Sequence, residues 1–114
     1  MPLMMTFFNV RKGRDTLFKR AMRGAFPTRG GFPGEMRRLE REYGVRFLGW
    51  FNVTEGSTWN NVVLLDLPSY AVLDQLYTDP STRGFGHWIA ESVFDKKHIM
   101  FLRERMGPDF VYKP

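Results

Sequence analysis

His87 is the side chain in this sequence best suited to moving a proton near neutral pH, because an unperturbed imidazole titrates at about pH 6.5. Arg83, His87 and Glu91 also stand at i, i+4 and i+8, the spacing of a polar helix face knit by neighbouring charges. Both readings stay open. His98 follows Lys96 and Lys97 and reads as a solvated strand end. The two histidines lie eleven residues apart and the chain has no Cys, so neither metal-ligand spacing nor a thiol nucleophile is available. No metal site is expected. Trp50, Asn52, Trp59 and Asn61 form a second group. Trp50 and Asn52 share one side of a strand, and Trp59 and Asn61 share one side of the next. An apolar wall carrying a few amides suits a small aromatic ligand. The same residues would equally serve as aromatic packing between two copies of the chain. Trp88 stands beside His87 and joins this ligand-binding set. Tyr70 and Tyr77, seven residues apart, could donate phenolic hydrogen bonds into a cleft or pack with wet tips. Asn9, near the end of an apolar strand, must find a hydrogen-bond partner if buried. Asp66 interrupts the apolar run VVLLDLP and reads as a partner for an Arg or for the following helix start, or as a base.

The elements that must position these groups follow from periodicity. Leu3 to Val10 reads as a strand and Asp15 to Arg23 as a helix with Leu17, Phe18, Ala21 and Met22 on its apolar stripe. Four Gly and two Pro between Gly24 and Gly34 argue for an eleven-residue loop, with Phe26 and Phe32 as anchors of a flap or a plain insertion. Glu35 to Tyr43 resumes as a helix, with Gly44 as its stop. Val45 to Val53 and Trp59 to Leu67 are strands joined by a short turn, hence a hairpin. A helix starts after Ser69 as N-cap, breaks at Asp79-Pro80, and continues over about Thr82 to Glu91 despite Gly84 and Gly86. Lys97 to Arg103 is the fourth strand, and Met106 to Pro114 a tail. The order β-α-β-β-α-β predicts an α+β, ferredoxin-like domain spanning residues 1–114, with an antiparallel four-stranded sheet.

Composition fits one globular domain: 114 residues, 43% hydrophobic and 16% aromatic. Apolar runs reach only four residues, too short for a membrane span, and a cytoplasmic location is expected. The net charge of +5 is uneven. Arg11 to Arg46 holds eleven Lys or Arg against four Asp or Glu. Such a block is a solvated helix face or, alternatively, an anion or nucleic-acid surface with Phe26 and Phe32 available for stacking. Its Gly-rich part lacks a phosphate-loop ending, and no nucleic-acid motif accompanies it.

The strands are apolar on both sides. Met5 and Phe7 oppose Met4, Phe8 and Val10; Phe47, Phe51 and Val53 oppose Leu48 and Trp50; Met100 and Leu102 oppose Ile99 and Phe101. A one-sided antiparallel sheet alternates apolar with polar. Both faces should therefore be covered, and the helices suffice for one. A second copy of the chain packing sheet to sheet is the expected cover, so a homodimer is expected; the alternative cover is the Gly/Pro-rich loop with the tail.

With "GVRFLGWFNV" running into "WNNVVLLDLPSYAVLDQL" and then "FGHWIAESVFDKKHIMFLRE", the chain resembles the dimeric α/β-barrel superfamily over roughly residues 4–105. That superfamily holds muconolactone-isomerase-like proteins, antibiotic-biosynthesis and haem-degrading monooxygenases, and NIPSNAP-type proteins. The resemblance implies two sheets closing into a barrel, and a cleft between sheet and helices for small hydrophobic, often aromatic, molecules. Haem-degrading members carry an Asn on the first strand with a Trp and a His from the second helical region. Asn9, His87 and Trp88 match in kind, but the Trp and His are adjacent and in reversed order, so no haem or other cofactor is expected. The expected function is small-molecule binding, with cofactor-free isomerase, cyclase or monooxygenase chemistry on a hydrophobic or aromatic compound. In it His87 is the base, Asn9 and Tyr70 are the positioners, and Trp50, Asn52, Trp59, Asn61 and Trp88 are the ligand walls. The alternative is a non-enzymatic ligand-binding module, with the basic segment 11–46 as a third option.

Overall fold

A computed structural model describes residues 2–24, 30–56 and 58–114. The chain runs β1 (Leu3–Val10), α1 (Asp15–Met22), α2 (Gly31–Tyr43), β2 (Arg46–Asn52), β3 (Asn61–Asp66), α3 (Val72–Thr78), α4 (Pro80–Ser92) and β4 (Phe94–Leu102). The strands form one antiparallel sheet in the order β2-β3-β1-β4. Two interrupted helical segments, α1–α2 and α3–α4, thus connect strands as the ferredoxin-like order requires. No helix among the described residues is long and apolar enough to cross a membrane.

Register assigns the faces. Met4, Thr6 and Phe8 stand opposite Leu65, Val63 and Asn61 on β3, and opposite Phe101, Ile99 and Lys97 on β4. This face carries the core: Phe8, Val63, Leu65 and Phe94 are buried against Phe18 of α1, Phe32 and Leu39 of α2, and Phe85 and Ile89 of α4. Phe8 stacks on Phe94 at 4.3 Å and meets Phe18 edge-on at 5.7 Å. The opposite face bears Leu3, Met5, Phe7, Leu64, Met100 and Leu102. Met100 and Leu102 remain about two-fifths exposed there, and Phe51 of β2 is 50% exposed. The tail, closed by a bridge between Met106 and Tyr112, leaves these side chains uncovered.

Five sequence expectations need correction. The helix over 31–43 starts four residues earlier than the Gly/Pro content suggested. Pro33 occupies the third helical position, where a missing N–H is no loss because the first turn's amides have no intrahelical partner. Gly31 is required there: its φ is 54°, and a Cβ would sit 2.5 Å from the Ala21 carbonyl oxygen. Phe32 is therefore a buried helix residue rather than a loop anchor, while Phe26 lies outside the described residues. The second correction concerns β2. Its register against β3 shifts between Phe47 and Gly49. This bulge puts Phe47 on the same face as Trp50, both meeting helix rings, Phe32 and Phe18 respectively. Third, β3 begins at Asn61, so Trp59 and Asn61 do not share a side. Asn61 faces the helices, and Trp59 lies near-parallel to His98, which stands opposite Phe7 on the open face. Fourth, α3 starts at Val72 with no side-chain cap; the capping side chain is Asp79, which accepts from the Thr82 amide at 2.9 Å and starts α4 with Pro80 behind it. The fourth strand also begins three residues early, at Phe94, because Arg11 and Val10 continue the pairing across a bulge.

Candidate functional site

Between the sheet and the helices lies a cavity of about 380 Å³. Its floor is the helix-facing row of the two central strands, Met4, Thr6, Phe8, Val63 and Leu65. Its walls are Phe32 and Met36 of α2, Leu76 of α3, and Phe85 and Ile89 of α4. Strand alternation accounts for the floor: every second residue of β1 must point here, and the sequence makes those residues apolar except Thr6. The rim is basic. Arg83 and His87 lie one turn apart on α4, Lys97 comes from β4, and all three are exposed. Tyr77 and Thr82 add hydroxyls to the lining. No Asp or Glu lines this cavity among the described residues. The combination of an apolar interior with a few cationic groups at the opening suits an amphipathic anion or an enolisable carbonyl compound.

The walls are held by a network behind the cavity. Arg38 of α2 donates to Glu35 at 2.7 Å, to Glu42 at 2.7 Å, to Asp79 at 3.1 Å and to the Thr82 hydroxyl at 2.7 Å. Tyr43 donates a short hydrogen bond to Asp79. The Tyr43 hydroxyl, the Thr82 amide and Arg38 together hold the Asp79 carboxyl well below its usual range. The same bond to Asp79 pushes the Tyr43 phenol up, and the carboxylates, Glu35 first, raise Arg38 further. Since Glu35 is buried, this is an interior ion cluster pinning α2 to the start of α4.

The residues singled out in the sequence divide between several places. His87 lines the cavity, and Trp88 packs against the core beside Phe85 at 6.2 Å. Trp50 lies outside that cavity. Its indole donates to Asn61 Oδ1 at 3.0 Å, and Asn52 donates to the same oxygen at 3.1 Å, so the three form one bonded cluster on the helix side of β2 and β3. Asn9 is spent on the turn: its amide donates to the Thr58 carbonyl and its oxygen accepts from the Asn60 amide. Tyr70 is half-exposed against Phe101 at 6.1 Å and does not line the cavity. Trp59 is near His98 on the far face. Asp66 pairs with Arg46 at 3.9 Å, leaving its buried Oδ1 without a partner. Thr6, Lys97, Arg83 and Met36 were missed as lining residues; for Thr6 the signal was present in strand parity with Phe8, and Lys97 joins that face through the pairing of β4 with β1. No group of three or more His, Asp or Glu among the described residues could hold a metal ion.

A four-stranded antiparallel sheet with helices on one face and a cavity between them defines a ferredoxin-like α+β domain. No family model and no curated protein matches the sequence. Solved structures do. A NIPSNAP domain protein from Burkholderia xenovorans is 18% identical, with 91% of this chain and 94% of that one covered and a TM-score of 0.62. A dimeric protein of unknown function and ferredoxin-like fold from Bacteroides fragilis is 14% identical, with coverages of 90% and 95% and a TM-score of 0.63. A Nitrosomonas europaea protein assigned to the antibiotic biosynthesis monooxygenases is 12% identical, with coverages of 91% and 98% and a TM-score of 0.63. The fold is thus the one implied by the superfamily resemblance, and at these identities the likeness shows the fold alone.

Proposed function

We propose that this protein is a cytoplasmic homodimer that binds an apolar or aromatic small molecule bearing an acidic or carbonyl group. The site is the cavity between sheet and helices. The observation that carries the reading is its lining: an apolar interior with Arg83, His87 and Lys97 at the opening and no carboxylate among them. Lys97 and Arg83 attract the ligand's oxygen. His87 can take a proton from a carbon next to a carbonyl while Lys97 stabilises the oxygen that gains charge. That chemistry is an isomerisation or cyclisation and uses only side chains of this chain.

The test uses 1-anilinonaphthalene-8-sulfonate, an apolar anion, beside its uncharged relative N-phenyl-1-naphthylamine. The paired variant Lys97→Ala/His87→Ala is expected to weaken the anionic probe by about tenfold or more, the usual scale of one charged hydrogen bond, and to leave the neutral probe unchanged. Equal binding of the anion by wild type and variant would remove the basic rim from the site.

The homodimer rests on the open sheet face. Phe51, Met100 and Leu102 are exposed there on a sheet whose other face is already packed by helices. A contiguous apolar surface of this kind marks an interface. The dimeric Bacteroides fragilis protein of the same fold supports the same reading.

A further inference from the structure

A second cavity of about 390 Å³ opens between α2 and β2, lined by Phe47, Trp50 and Pro33 with Arg37 and Glu40 at its edge. Met22, Phe32 and Met36 line both this cavity and the one between sheet and helices. These three side chains are therefore the partition, and each cavity lies directly behind it. Two of the three are methionines, unbranched and readily re-packed, placed at the end of α1 and on the inner face of α2. Neither methionine is fully buried. The charged groups are divided unequally: the first cavity has Arg83, His87 and Lys97 with no carboxylate, whereas the second has one charge of each sign.

We propose that the two cavities form one elongated site for an amphipathic carboxylic acid with a long apolar tail. The carboxylate lies at the Arg83, His87 and Lys97 end. The tail runs over the floor of β1 and β3, displaces Met22 and Met36, and ends against Phe47 and Trp50. The proposal deepens the reading of the first cavity as the ligand site and rests on it. Each methylene moved from water to an apolar wall is worth about fourfold in affinity, so tail length reports how far the tail is enclosed. The first cavity alone holds a short acid; a longer one gains only if the partition yields.

The experiment measures displacement of 1-anilinonaphthalene-8-sulfonate by octanoate and by dodecanoate, on wild type and on Met36→Trp and Met22→Trp separately. In wild type dodecanoate is expected to bind at least about tenfold tighter than octanoate, less than four fully buried methylenes would give because the second cavity opens to solvent. Each Trp variant fills the partition and is expected to lose that gain, so that within the variant dodecanoate binds no tighter than octanoate. The two substitutions lie on different helices, so a folding failure of one leaves the other to decide. Dodecanoate binding no tighter than octanoate in wild type would overturn the joined site and leave the first cavity standing. The same holds for a gain that survives both Trp variants, which would place the tail elsewhere. Failure of both acids to displace the probe would overturn both readings.

Discussion

Replacing Arg38 with Met removes the cation that Glu35, Asp79 and Glu42 share, leaving Arg41 at 3.9 Å from Glu42 alone, while keeping the helix propensity and most of the side-chain volume. Glu35 has a side chain only 6% exposed and Arg38 one 17% exposed, so the pair is essentially interior. Taking one partner from a buried pair costs about 3–5 kcal/mol, because the remaining charge is left without compensation. Asp79 and Glu42 would then face Glu35 with no cation between them. Water reaches the Glu42 side of the cluster, which favours the lower end, about 3 kcal/mol. With an unfolding entropy of about 2.1 cal/mol/K per residue, a chain of this length loses about 4 °C of midpoint per kcal/mol, hence about 12 °C. Calorimetry or circular dichroism at pH 7 reads this directly. The double variant Glu35→Leu/Arg38→Met, which removes the stranded charge as well, should recover more than half of the loss. An Arg38→Met variant that melts within 4 °C of wild type would refute the reasoning, since the cluster would then be a solvated surface pair. Because the cluster joins α2 to the start of α4, the same variant should also weaken probe binding in the cavity those helices enclose.

Three further expectations follow from other contacts. The Asp79 carboxyl is held below its unfolded value by Tyr43 and Thr82, so its contribution is complete above about pH 4 and is lost as pH falls further toward the depressed folded value; acid titration of Asp79→Asn should show a shallower loss of stability below pH 4 than wild type, and identical slopes would contradict the assignment. Gly31→Ala, which drives a Cβ to 2.5 Å from the Ala21 carbonyl at positive φ, should cost at least about 1 kcal/mol in urea denaturation, whereas Gly84→Ala, with open space around it and a helical position, should be neutral or stabilising. Phe51→Glu on the open face should shift sedimentation from dimer to monomer with the cavity probe still bound; an unchanged monomer in both proteins would remove the homodimer.

The element order was legible because each helix carries an apolar stripe and each strand is a short apolar run bounded by turn residues. The stripe of α1 could be read residue by residue, and the hairpin of β2 and β3 as a pair of strands, without its register or its start. What the sequence concealed were the places where backbone geometry overrides composition. Gly30, Gly31 and Pro33 look like a loop and instead start α2, since glycine permits the left-handed entry and a first-turn proline sacrifices nothing. The bulge after Phe47 inverts half a strand, and Gly49 beside it is the sign of it that the sequence carries. The site was partly legible for the same reason. His87 drew notice by its chemistry alone; Thr6 shares the face of Phe8 by strand parity, whereas Lys97 needed the pairing of β4 with β1 to show it. Asn9 and Asn61 looked available for a ligand because their amides are apparent in the sequence while the partners that occupy them, a turn carbonyl and an indole, are not.

The bulge in β2 has a bearing on solubility as well. β2 and β4 are the rims of the sheet, and a rim strand offers a free row of amides and carbonyls to any passing chain. On one rim the extra residue at Leu48 and Gly49 breaks that row midway; on the other, Lys96 and Lys97 put positive charge along it. Sideways stacking of sheets into ribbons is discouraged at both ends. The proposed face-to-face pair closes on itself, whereas sideways pairing at these rims would grow into filaments.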